Sequence, residues 1–115
     1  SPEQVRVLPI SEKSESYARE LQASLKAQGL RAGIDAGSDR IQGRIRAAAE
    51  DRVPYMAIVG PRDAEERKVS VRVRGRVENA GAIDFSEFVD RLAEEYRSRG
   101  VHSLSALLDR GGAKV

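Results

Sequence analysis

The chain has no cysteine, no tryptophan, one histidine (His102) and only five aromatic side chains among its 115 residues. Without cysteine there is no disulfide, no thiolate nucleophile and no cysteine-based metal site. A Ser-His-Asp arrangement or a histidine-ligated metal would rest on His102 alone, which reads as a helix-start histidine. No apolar run approaches the roughly 18 residues of a membrane span, and SPEQVRVLPIS lacks the charged-then-apolar order of a signal peptide. The sequence is therefore read as that of a cytoplasmic protein with no membrane partner. No glycine-rich phosphate loop is present either: Gly37-Ser38-Asp39 is a turn with one glycine, neither G-x-G-x-x-G nor G-x-x-x-x-G-K-S/T. Of the carboxylates, only Asp35 falls at a strand end. Glu65-Glu66 and Glu94-Glu95 read as solvated faces, with nothing beside them to raise a pKa by burial. These absences exclude a catalytic constellation, a cofactor loop and a metal cluster.

What is present is charge in an uneven distribution. The formal balance is only +2, yet residues 40–76 hold ten cations against five anions, leaving ten against thirteen elsewhere. Nine of those ten cations are arginine, whose planar fork suits phosphate and base edges. One basic region on a near-neutral domain is the footprint expected of nucleic-acid contact. A salt-bridged, solvated surface is the other reading that composition leaves open. Within Val53 to Arg76 the pattern sharpens. Val69, Val71 and Val73 fall on one face of a strand, and Lys68, Ser70, Arg72 and Arg74 on the other.

The order of elements reads β-α-β-α-β-β(-β)-α. Val5 to Ile10 forms a first strand. A helix follows, with Ser11 or Ser14 as cap, a Tyr17, Leu21, Leu25 stripe, and Gly29 in the C-cap position. Leu30 to Asp35 is a second strand, and residues 36–39 form a turn that can cap a helix over Arg40 to Asp51. Ile41, Ile45 and Ala48 of that helix face inward, and Arg40 and Arg44 share its polar face. Tyr55 to Val59 is a strand buried on both faces. A charged loop leads from it to the basic strand, which is expected to run antiparallel at an edge, with Val77 to Ile83 as a short addition. Asp84 and Glu87 have capping-box spacing for the last helix, with Ile83 and Phe88 as its staple. Phe85, Phe88, Val89, Leu92 and Tyr96 are its stripe, and Gly100 its end. Val101 to Arg110 reads as one more short helix using Leu104, Leu107 and Leu108, with GGAKV as a tail. The fold class is α/β: a mixed sheet of about five strands flanked by three main helices, over residues 1–100, with 101–115 as a short C-terminal helix and tail.

VLPIS, IRAAAEDRVPYMAIVG, KVSVRVRG and FSEFVDRLAEEYRSR together resemble the C-terminal anticodon-binding domain of class II aminoacyl-tRNA synthetases of the His/Gly/Thr/Pro subgroup, the threonyl members above all. The resemblance covers about residues 4–99. It implies no enzyme activity in this chain alone, because aminoacylation belongs to a separate catalytic domain. That domain would be a partner if the chain is a fragment of a threonine–tRNA ligase. It implies no cofactor. The implied partner is tRNA, met at the anticodon loop. By position, the family's base-reading carboxylate falls on Asp63, one methylene shorter than the usual glutamate, and its arginine on Arg72. Arg46 matches a family anticodon-loop contact. Arg52 is a further candidate, with a helix-terminus cation as the alternative. Ser38 stands where the family carries an asparagine. The glycine beyond it is displaced by one, and the aromatic is missing. Arg40, Arg44, Lys68 and Arg74 would supply supporting basic surface.

Two other functions remain open at this point. The departures at Ser38 to Gly43 and the C-terminal residues fit a stand-alone relative used as a protein-interaction or accessory module. A small-molecule α/β domain is disfavoured by the missing phosphate loop.

Overall fold

A computed structural model of the chain describes residues 2–76, 81–98, 104 and 108. Strands β1 (Val5–Pro9), β2 (Ala32–Ile34), β3 (Tyr55–Val59), β4 (Lys68–Val73) and β5 (Gly81–Asp84) alternate with helices α1 (Glu15–Ala27), α2 (Ile41–Glu50), α3 (Pro61–Glu66) and α4 (Phe85–Arg97). They form one sheet in the order β2-β1-β3-β4-β5. β1 runs parallel to both β2 and β3, and β4 runs antiparallel to β3 and β5. The basic strand is thus antiparallel, as expected, but not at the edge. β5 covers it, pairing Val69 with Ile83 and Val71 with Gly81. Alternation reveals which face of a strand is buried and says nothing about its neighbours in the sheet.

The two faces are covered unequally, and this creates the exposed surface. On one face α1 and α4 pack across the sheet: Tyr17, Leu21, Leu25, Phe88 and Leu92 meet Val5, Val7, Ala57, Val69 and Val71. Leu104 and Leu108, both helical, join this cluster, whereas Leu107, Gly100 and the tail lie outside the described residues. On the other face, among the described residues, α2 packs alone, its Ile41, Ile45, Ala48 and Ala49 lying on Leu8, Met56 and Ile58. A helix about 10 Å wide covers about two strands at the 4.7–4.9 Å sheet spacing. β1 and β3 are covered, and among the described residues no helix packs on that face of β4 and β5.

The helix ends show which local signals prevail. Gly29 (φ 85°) closes α1 in a Schellman motif, with Gly29 N–H donating to Lys26 and Leu30 N–H to Leu25. α2 ends the same way, Arg52 N–H donating to Ala49 and Val53 N–H to Ala48, but its left-handed residue is Arg52 (φ 63°). The start of α2 is a correction: Arg40 occupies the N-cap and no side chain caps it, so Ser38 and Asp39 do not. Nor does Asp84 cap α4. Its carboxylate lies 3.5 Å from Lys68, and Glu87 pairs with Arg91 at 2.7 Å, since a nearby cation competes well for a carboxylate. Ile83 and Phe88 are both buried in one cluster, as a staple requires.

The charged loop after β3 is also corrected, because it is helix α3. Gly60 is its N-cap, Pro61 opens it, and the Asp63 carboxylate accepts from Gly60 N–H at 2.8 Å. Arg67 (φ 56°) ends it. Its guanidinium lies 4.5 Å over the Phe85 ring and 5.4 Å over Tyr17, and grips Glu20 with two bonds of 2.8 and 2.9 Å. Burial raises the Tyr17 phenol to about 12, so it stays neutral and donates to the Lys68 carbonyl at 2.6 Å.

Candidate nucleic-acid interface

The ten cations of residues 40–76 divide by what they hold. Arg44 was expected on the polar face of α2 as basic surface, but it is 4% exposed. Its Nε donates to the Asp39 carbonyl at 3.0 Å, and its Nη1 to Pro9 and Asp35 at 2.7 and 2.9 Å. An arginine in the first turn of a helix points back toward the N-terminus, and here that direction meets the carbonyls leaving β1 and β2. Arg44 is a structural staple of the strand ends. Arg67 is committed to Glu20 and the aromatic pair, and Arg62 pairs with Glu66 at 3.2 Å.

Of the others, Lys68 and Arg72 belong to β4, Arg74 and Arg76 follow it, and Arg40, Arg46 and Arg52 belong to α2 and its two ends. Arg72 lies opposite Met56 in the ladder and is half-buried, with its Nε shielded from solvent. Ser70, two residues earlier on the same face, donates to Asp63 Oδ1 at 3.4 Å. Asp63, Ser70 and Arg72 therefore follow one another from the start of α3 along one face of β4, a row tied at its first step by the Ser70–Asp63 bond. Sequence reasoning missed Ser70, although its place in the polar alternation is the signal for it. Arg74 Nε donates to Ala49 O at 2.9 Å and draws the end of β4 against α2. Arg46, three residues before Ala49, shares that flank of the helix. Arg52 stands exposed at its end, and Arg6 on β1 fixes this terminus by pairing with Glu3 and with Asp51 at 2.8 and 2.9 Å. The side chains of Arg40, Arg46 and Arg52 make no hydrogen bond or ion pair among the described residues.

Ser38 lies apart from this row. It is exposed on the β2–α2 loop and lines a crevice of about 260 Å³ with Pro9, Ile10, Ser11 and Arg44. The crevice lies beyond the carboxyl ends of β1 and β2, where the chain leaves toward opposite faces of the sheet, the usual ligand position in an open α/β sheet. Asp63 and Ser70 are thus brought together, with Arg72 and Lys68 two residues away on either side of Ser70; Arg74 and Arg46 lie toward α2, and Ser38 forms a second rim.

A protein-family model described as "Anticodon binding domain" matches residues 4–95. The chain belongs to the anticodon-binding domain family. It is 42% identical over 102 residues to the threonine–tRNA ligase catalytic subunit of Sulfolobus acidocaldarius, covering 89% of this chain and 18% of that protein. It is 44% identical over 99 residues to the threonine–tRNA ligase of Thermus thermophilus, covering 86% and 15%. The RNA-binding domain of threonyl-tRNA synthetase from Cryptosporidium parvum superposes with a TM-score of 0.75 at 26% identity, covering 82% of this chain and 24% of that one. The chain thus spans under a fifth of the length of the curated relatives it matches. None of the three favours the protein-interaction reading. As an anticodon-binding domain, the chain carries Lys68 and Arg72 on the face of β4 where, among the described residues, no helix packs.

Proposed function

We propose that this domain reads the anticodon loop of threonine tRNA, as the non-catalytic C-terminal part of a cytoplasmic threonine–tRNA ligase whose catalytic domain is its partner. The observation that carries the reading is the Asp63–Ser70–Arg72 row. Every threonine codon has a central cytosine, so every threonine anticodon presents a central guanine. That base offers N1–H and N2–H₂ to a carboxylate, and O6 and N7 to an arginine fork. An ionised carboxylate has about four lone-pair sites. Gly60 and Ser70 use two of them on Asp63, and two remain for a base. Arg46, Arg52, Arg40, Lys68 and Arg74 supply phosphate contacts around this pair, and Ser38 offers a hydroxyl to a neighbouring base. The test is the affinity for RNA hairpins that differ only in the anticodon.

Arg52 supplies a second check. A non-glycine residue in the left-handed region costs about 1–2 kcal/mol, and glycine returns part of that as chain entropy. Arg52→Gly is expected to stabilise the domain by about 0.5–1 kcal/mol in urea titration. The same change removes one phosphate contact and lowers the slope of log K against log salt by about 0.7. A more stable variant with an unchanged slope would assign Arg52 to helix termination alone.

A further inference from the structure

We propose that Ile10 is an apolar platform on which one unstacked base of the anticodon loop lies, an inference that rests on the anticodon reading above. RNA loops are read from splayed bases that need a surface to stack on, usually an aromatic ring. The described residues offer no exposed ring of this kind. Tyr17, Tyr55, Phe85 and Phe88 are buried, and Tyr96 packs against the core under α4. The exposed large hydrophobic among the described residues is Ile10, at 48%. A single exposed aliphatic residue is ordinary in itself, but the position of this one is informative.

Ile10 extends β1 by one residue, its N–H donating to the Val59 carbonyl at 2.9 Å. Its side chain lies beside Gly60: a Cβ on that glycine would stand 3.1 Å from Ile10 Cδ1 and 3.7 Å from Asp63 Oδ2. The missing side chain lets the apolar methyl and the base-reading carboxylate stand next to each other. On its other side Ile10 lines the crevice that holds Ser38, Ser11 and Arg44, and with Pro61 it floors a shallower apolar hollow. Ile10 therefore lies between the Ser38 rim and the Asp63 end of the row.

The chemistry of the surround selects a base over a phosphate. Glu12, Glu15 and Asp39 line the same crevice, and their charge repels a phosphate while accepting from N–H groups. An apolar floor with hydroxyl and carboxylate groups at its rim matches a nucleobase, which has an apolar face and a polar edge.

The test uses a hairpin with a threonine anticodon, and three versions in which each anticodon base in turn is replaced by an abasic nucleotide. Ile10→Ala is expected to weaken binding of the intact hairpin about tenfold, the worth of a half-buried aliphatic side chain. Ile10→Val should restore most of the loss, and the salt slope should match wild type because no phosphate contact is removed. Against one abasic hairpin the substitution should have no effect, since base and platform act as a pair. Thermal melting should show all three proteins folded, as befits an exposed position. Equal affinity of Ile10→Ala and wild type for the intact hairpin, or the same loss on every abasic hairpin, would overturn the proposal and leave Ile10 to a protein neighbour. Failure of the underlying reading looks different, because wild type would then show no preference for the threonine hairpin.

Discussion

Arg44→Met is expected to destabilise the domain by about 3 kcal/mol and to lower its melting temperature by roughly 10–15 °C. Methionine fills a similar volume but has no donor, so the carbonyls of Pro9, Asp35 and Asp39 lose the one guanidinium that serves all three. Hydrogen bonds to a charged group contribute about 1.5–3 kcal/mol each. The adjoining crevice admits water to part of this cluster, which keeps the total below their sum. Against a typical stability of 5–15 kcal/mol the change is large. Arg44→Lys should recover only part of it, because an ammonium cannot reproduce the planar fork. Equilibrium unfolding in urea measures both. A change under about 0.5 kcal/mol would mean that water satisfies the carbonyls unaided. Ser38 lies between two of those carbonyls, so loss of Arg44 also loosens the loop that forms the second rim of the interface.

Arg72→Ala is expected to weaken binding of a threonine-anticodon hairpin by about 1–3 kcal/mol, the usual worth of a bidentate base contact. The loss should be concentrated on hairpins with guanine at the central anticodon position, with little change in salt slope. Removal of a phosphate contact behaves differently: affinity falls for every anticodon, and the slope drops by about 0.7. Isothermal titration at two salt concentrations separates these outcomes. Among the described residues no helix packs on Arg72's face of β4, and Arg72 belongs to neither core cluster, so its truncation opens no cavity in them. Melting of the variant measures any change in folding separately, so that the anticodon-dependent part of the binding loss can be assigned to contact.

The order of strands and helices was legible because each central element carries a strong periodic or continuous apolar signal. Tyr55–Val59 is buried along its whole length, and the Phe88 and Leu92 stripe of α4 faces the core. α3 escaped because its six residues are charged nearly all round and only Ala64 packs toward the core. Gly60-Pro61 with Asp63 two residues on was the available signal, since glycine caps, proline opens and an acid in the first turn reaches back. Arg44 escaped for a different reason. Helical spacing placed it with Arg40 on a polar stripe, and spacing cannot show that strand-end carbonyls wait above the first turn of α2. The capping spacing of Asp84 and Glu87 was real, but Lys68 and Arg91 took both carboxylates. The site followed the same division. The alternation of β4 put Arg72 on its polar face, whereas the bond from Ser70 to Asp63 depends on the turn that α3 makes before β4.

The most direct test of anticodon reading is the wild-type domain titrated with hairpins identical except at the three anticodon nucleotides. The account expects the threonine anticodon to bind at least tenfold more tightly than one whose central guanine is changed, at the same salt concentration. Equal affinity for the two hairpins would contradict it and leave only a basic surface that holds phosphates.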